Sequence, residues 1–224
     1  MFRVAPLGKR VLKSGFTRTL EYGYTPPMWD ERFSEPGHAY GTEPNDFLVS
    51  VADRIPMGPV LSLAEGEGRN AVFLAGLGYE VTAVDASTVG LAKAERLAAE
   101  RGVSVTTIHA DLTDFEIEPD AWQGIVSIFC HLPPVIRAAL HERCLRGLVP
   151  GGAFVLEGFT PRQLELATGG PRIRELLMEL ETIRQELPGL QFEIAREIER
   201  PATEGRYHRG TVAVLQVVAT KADR

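Results

Sequence analysis

Two glycines and a later carboxylate at a telling spacing carry the first chemistry in this chain. Glu65-Gly66-Glu67-Gly68-Arg69-Asn70 sets the glycines one residue apart, and Asp85 follows nineteen residues after Gly66. Glycines so placed let the backbone turn tightly against a ligand. The helical pattern that begins at Asn70 offers that ligand bare amides and the positive end of a helix dipole. A carboxylate at Asp85 can accept both hydroxyls of a ribose. The combination describes a nucleoside-cofactor site. Gly66 to Ala71 also satisfies the dinucleotide pattern G-x-G-x-x-G/A, so the residues alone leave the identity of the nucleoside open.

The elements that must hold these residues alternate along the chain. Asn45 to Arg54 reads as a helix with Phe47, Leu48 and Val51 on one face. Strands are expected over 59–64, 80–85, 103–109, 124–130 and 153–158, separated by helices over 70–77, from Ser87 to about Arg101, and from Pro133-Pro134 to about Leu148. Such alternation implies a parallel sheet with helices on both faces. After Thr160 the rhythm changes. A charged helix is expected over Pro171 to Leu187, then strands Phe192 to Arg200 and Thr211 to Thr220, joined by a polar turn from Pro201 to Gly210. The expected fold is α/β, a Rossmann-like doubly wound sheet that is mostly parallel and ends in an antiparallel hairpin.

The longer string from Glu65 to Asp85, Glu-Gly-x-Gly-Arg-Asn-x-x-x-Leu-Ala-x-x-Gly-Tyr-x-Val-x-x-x-Asp, resembles the class I S-adenosylmethionine-dependent methyltransferases. Within them it is most similar to the small tellurite-resistance and thiopurine methyltransferase-like group. The resemblance continues upstream in Trp29-Asp30-Glu31-Arg32-Phe33 and from Tyr40 to Leu48, and covers roughly residues 28–220. It implies S-adenosylmethionine as cofactor, with Glu65, Gly66, Glu67, Gly68, Asn70, Asp85, Ala86, Asp111, Leu112 and Cys130 around it. Asp111 would take the adenine amino group and Leu112 would pack the ring; the plainer role for Asp111 is to cap its own turn. The chain departs from the family at Ser62, where an acid is usual, and at Ala64, where glycine is usual. Glu65 or Glu67 is the substitute for the missing acid.

The acceptor side is drawn more loosely. His131 lies where class I enzymes meet the transferable methyl group, and is either a general base or a histidine of the helix start or core. Trp29 and Tyr40 are candidates for a lid, or else pack the first helix. Glu157 at the end of the fifth strand and His208 in the last turn are candidate substrate contacts, with a solvated loop as the alternative for His208. The resemblance implies methyl transfer to a small acceptor: a thiol, a chalcogen oxyanion or a similar soft nucleophile. The competing functions are an NAD(P)-dependent oxidoreductase and a non-catalytic cofactor-binding protein.

Composition narrows the class. The 224 residues carry a net charge of −6, and residues 1–27 hold five Lys or Arg against one Glu, so the remainder is strongly acidic. An acidic body is a poor partner for nucleic acid, whose binding rests on phosphate neutralisation. The sequence also lacks the Asn/Asp-Pro-Pro-Tyr/Phe tetrad of amino-directed DNA and protein methyltransferases. Residues 1–27 read as a basic extension, a tail or targeting segment, ahead of a methyltransferase domain over 28–224. No apolar run reaches the roughly 20 residues that span a membrane. Two cysteines make no disulfide framework, which suits a cytoplasmic setting, and His38, His109, His131, His141 and His208 show no zinc-like spacing.

Overall fold

The computed structural model describes residues 26–166 and 168–223, so the basic extension lies almost wholly outside the described residues. Strands β1 (Pro59–Leu63), β2 (Glu80–Asp85), β3 (Thr106–His109), β4 (Trp122–Ile128) and β5 (Leu148–Phe159) are parallel. With β6 (Leu190–Glu204) and β7 (His208–Lys221) they form a seven-stranded sheet in the order β3-β2-β1-β4-β5-β7-β6. β7 runs antiparallel to both β5 and β6. The α-helices are α1 (Pro26–Ser34), α2 (Asp46–Val51), α3 (Arg69–Gly76), α4 (Thr88–Glu100), α5 (Pro134–Gly147), α6 (Gln163–Leu166) and α7 (Leu180–Glu186).

Period-two alternation in β1 feeds two cores. Val60 packs with Phe47, Leu48, Ala71 and Leu74 of α2 and α3 on one face. Leu61 and Leu63 pack with Leu140 and Cys144 of α5 and Ile183 of α7 on the other. The strand order reverses between β1 and β4, and the crevice beyond their carboxyl ends is where open α/β sheets bind ligands. Among the described residues no helix is long and apolar enough to cross a membrane.

Two expectations fail after β5. The helix expected over Pro171 to Leu187 is a short 3₁₀ turn at Arg174–Leu176 followed by the seven-residue α7. Leu176, Leu177 and Met178 are buried in succession, and the Met178 N–H donates to the Phe159 carbonyl at 2.9 Å. Three consecutive buried side chains do not fit the single apolar stripe of a surface helix. The hairpin is also longer and its turn tighter than expected. Residues 201–204 pair with 208–211, leaving three residues in the turn and setting Glu204 opposite His208. The tip is held by the Arg206 N–H donating to the Ala39 carbonyl at 2.9 Å. Polar residues there look like loop in the sequence because nothing local reveals that residues 39–41 cover them.

Candidate active site

The turn after β1 is built around Glu65. One of its carboxylate oxygens accepts the N–H groups of Asn70 and Ala71 at 3.0 and 2.9 Å, and the other accepts the Ser62 hydroxyl. An acid three residues further on thus serves the strand end where Ser62 stands, and it satisfies two amides that a helix start leaves orphaned. This corrects the expectation that those amides are bare: Glu65 occupies them. Burial raises the Glu65 pKa against these hydrogen bonds. Glu67 is likewise committed, accepting the Ala39 N–H at 2.6 Å and the Lys93 ammonium at 2.8 Å. The Asn70 side-chain Oδ1 accepts the Asn45 backbone N–H at 2.9 Å. Glu67 and Asn70 tie the N-terminal segment over the turn, and Glu65, Glu67 and Asn70 all line the cavity described below. Gly68 is in the left-handed region at φ 93°, and a Cβ on it would lie 2.6 Å from Ala94 of α4, so only glycine fits there.

Asp85 ends β2 with one oxygen accepting the Gly66 N–H and the other the Ser87 N–H, each at 2.8 Å. Each oxygen retains a second lone pair. Burial raises its pKa. Asp111 accepts the Thr113 N–H at 2.8 Å, which is the turn-capping role, through one oxygen only. Both line a cavity of about 310 Å³ over the carboxyl ends of β1 to β4, together with Gly66, Ala86, Leu112 and Cys130. Burial pushes the Cys130 thiol up to about 12, which removes it as a nucleophile. Among the described residues no group of His, Cys, Asp and Glu could hold a metal ion.

The other half of the cavity is aromatic. Trp29, Phe33 and Tyr40 come from the N-terminal segment, Phe129 and Phe159 from the ends of β4 and β5, and Tyr207 and His208 from the hairpin. Trp29 stacks on Phe33 at 5.6 Å, and the Arg32 guanidinium lies over both Trp29 and Tyr207. The Tyr40 hydroxyl accepts from Arg32 at 2.9 Å. Gly170, at φ 78°, brings bare backbone so close to Phe159 that a Cβ would lie 2.5 Å from its ring.

Two sequence candidates change role. His131 lines the cavity, yet its Nδ1 donates to the Leu176 carbonyl at 2.8 Å and its Nε2 accepts the Phe159 N–H at 3.3 Å. Burial pushes its pKa down to about 4. With both nitrogens bound to backbone it clamps β5 to the following turn and has no lone pair for an acceptor's proton. Glu157 is fully buried and absent from the cavity wall. It accepts from Asn45 at 2.7 Å, from Gln216 at 2.6 Å and from both Arg200 Nε and Nη2.

Glu157 belongs to a buried polar network that the sequence does not announce. Glu204 accepts from Arg200 at 2.8 Å and Asn45 at 3.1 Å on one oxygen, and from Arg69 at 2.9 Å and His208 Nδ1 at 3.2 Å on the other. Burial pushes the Glu204 carboxyl up, but the hydrogen bond from His208 and the charges of Arg69 and Arg200 hold it far below the usual carboxylate range. Arg69 is 8% exposed and lines the cavity, and its Nη1 has no hydrogen-bond partner among the described residues. The sequence does not single out the cavity-lining Arg69, Phe129 and Phe159, nor Glu204 behind His208. The one local signal for Glu204 is its four-residue interval to His208 around Gly205, and a turn centred on 205–207 sets the two opposite each other.

A model of the methyltransferase domain matches residues 60–152. The chain is 23% identical over 172 residues to 2-heptyl-1-hydroxyquinolin-4(1H)-one methyltransferase of Mycobacteroides abscessus, covering 73% of this chain and 76% of that protein. Its fold is similar to an S-adenosylmethionine-dependent methyltransferase from Methanosarcina mazei, with a TM-score of 0.63 at 16% identity over 78% of this chain and 98% of the other. It is also similar to TehB from Haemophilus influenzae, with a TM-score of 0.65 at 18% identity over 79% of this chain and 62% of the other.

Proposed function

We propose that this chain, a class I S-adenosylmethionine-dependent methyltransferase, methylates a small planar aromatic acceptor at a hydroxyl or thiol. The aromatic enclosure carries the proposal. The rings of Tyr40 and Phe129 each lie 4.7 Å from His208, and Phe129 lies 4.6 Å from Phe159, all on one cavity wall. Such walls reward a flat apolar ligand through burial and edge-to-face contact. Of the acceptors expected from the tellurite-resistance and thiopurine likeness, a thiol suits these walls and a chalcogen oxyanion gains little from them. The curated relative is named for a hydroxyquinolinone substrate, which supports an aromatic hydroxyl.

The residues present fit the cofactor. Asp85 would hold the ribose, Asp111 and Leu112 the adenine, and the glycine turn the backbone-facing edge. The unpartnered Nη1 of Arg69 is a buried donor suited to a carboxylate such as the one at the methionine end. Bound S-adenosylmethionine supplies an electrophilic methyl whose leaving group departs without acid help, so alignment does most of the work. The N-terminal segment excludes water by covering the turn, through Ala39 on Glu67 and Phe33 against Gly66.

Heat-shift measurements and a methyl-transfer panel test this. S-adenosylhomocysteine should raise the melting temperature and NAD(H) should not. With S-adenosylmethionine, 2-heptyl-1-hydroxyquinolin-4(1H)-one, 2-naphthol and thiophenol should be methylated faster than tellurite or selenite. Turnover of tellurite alone would overturn the aromatic acceptor.

A further inference from the structure

We propose that His208 is the general base that takes the proton from the acceptor, positioned by Glu204. The proposal rests on the aromatic-acceptor reading above. His208 lines the cavity, is 5% exposed, and has its Nδ1 3.2 Å from Glu204 Oε2. A carboxylate only accepts, so Nδ1 carries the ring proton and the lone pair sits on Nε2. Among the described residues no hydrogen bond reaches Nε2, in contrast to His131, both of whose nitrogens are bound to backbone.

Packing sets the ring's direction. It is held between Tyr40 and Phe129, each at 4.7 Å, and meets Phe159 edge-on at 5.1 Å. Gly169 supplies bare backbone beside it, where a Cβ would come within 3.1 Å of the His208 ring. Glu204 is in turn fixed by Arg69, Arg200 and Asn45. Those two cations and Glu157 and Glu204 are the charged groups around the dyad. Burial holds the His208 pKa below its ordinary value, against the raising effect of Glu204, so the ring is neutral and able to accept a proton near neutral pH.

The step balances without a further reactant. The acceptor hydroxyl gives its proton to His208 Nε2, and the freed oxygen pair forms the bond to the methyl carbon. The carbon–sulfur bond breaks with its electron pair going to sulfur, which discharges the sulfonium. The imidazolium left on His208 is paired with the Glu204 carboxylate and returns its proton to water as product leaves.

The test uses two phenols of unlike acidity at about pH 8 with saturating S-adenosylmethionine. 4-Nitrophenol is mostly ionised there and needs no base; 2-naphthol is neutral and does. The variant His208→Asn keeps an N–H for Glu204 and removes Nε2. It should slow 2-naphthol methylation about 100-fold or more and 4-nitrophenol methylation less than about 10-fold. The rise of 2-naphthol turnover with pH through the histidine range should vanish, while S-adenosylhomocysteine affinity by calorimetry stays unchanged. Equal losses on both phenols, or an unaltered pH profile, would overturn the base assignment alone. No turnover of either phenol by the wild-type protein would instead overturn the aromatic acceptor, and the base assignment with it.

Discussion

Acidification should unfold this protein in part through His131. Its Nδ1–H binds the Leu176 carbonyl and its Nε2 accepts the Phe159 N–H, so the fold requires the neutral ring. Burial, opposed by the Leu176 bond, lowers its pKa from 6.5 to about 4. A histidine depressed in the fold makes its full contribution above the unfolded value and loses it as pH falls toward the folded one. Between those values the unfolded chain binds a proton that the folded chain refuses. The loss is about 1.4 kcal/mol per pH unit, or about 3 kcal/mol in all. Urea unfolding of wild type and His131→Gln at about pH 7.5, 6, 5 and 4 isolates it. Glu204 and Glu186, whose lowered pKa values also cost stability in acid, are common to both proteins and cancel in the difference. The variant should be less stable than wild type at the highest pH, and the gap should narrow by about 3 kcal/mol at the lowest. A gap independent of pH would refute a buried neutral ring and restore His131 as a titrating group open to the cavity.

Two further outcomes follow from the turn. Ala64 sits at φ 50°, where a Cβ is strained, so Ala64→Gly should raise stability by about 1 kcal/mol in thermal or urea unfolding. Glu65→Ala strands the Asn70 and Ala71 amides and the Ser62 hydroxyl, and should cost about 2–4 kcal/mol with a matching loss of S-adenosylhomocysteine affinity by calorimetry. Wild-type stability in Glu65→Ala would mean that the carboxylate does not cap α3.

Much of the fold was legible because its elements are locally coded. Asn45 and Ser87 accept the backbone N–H groups of Leu48 and Gly90, where their residue types announce helix starts. The central parallel strands β1, β4 and β5 read as largely apolar runs because both faces of the sheet are covered there, whereas the edge strand β3 is only partly buried. Legibility fell after β5, where burial comes from distant segments. Leu176 to Met178 break the helical pattern because they insert under β5, and residues 201–204 extend β6 because residues 39–41 cover the hairpin tip.

The same division runs through the site. Gly66, Gly68 and Asp85 lie within one strand-turn-helix-strand unit, so their spacing by itself is readable as a nucleoside-binding pattern, and the structure brings Gly66 and Asp85 to one cavity. Only the tertiary structure decided what the other polar groups do. Glu65 turns inward to the amides of α3, Glu157 is consumed by Arg200, Asn45 and Gln216, and His131 is spent on backbone. His208, a candidate substrate contact whose alternative is a solvated loop, lines the cavity and is fixed by Glu204 and by aromatic rings from β4, β5 and the N-terminal segment. A side chain's chemistry is set by which partners occupy its lone pairs and how far water is excluded. For these residues the hydrogen-bonding partners lie up to 112 positions away along the chain, as Asn45 does from Glu157, beyond the reach of any local pattern.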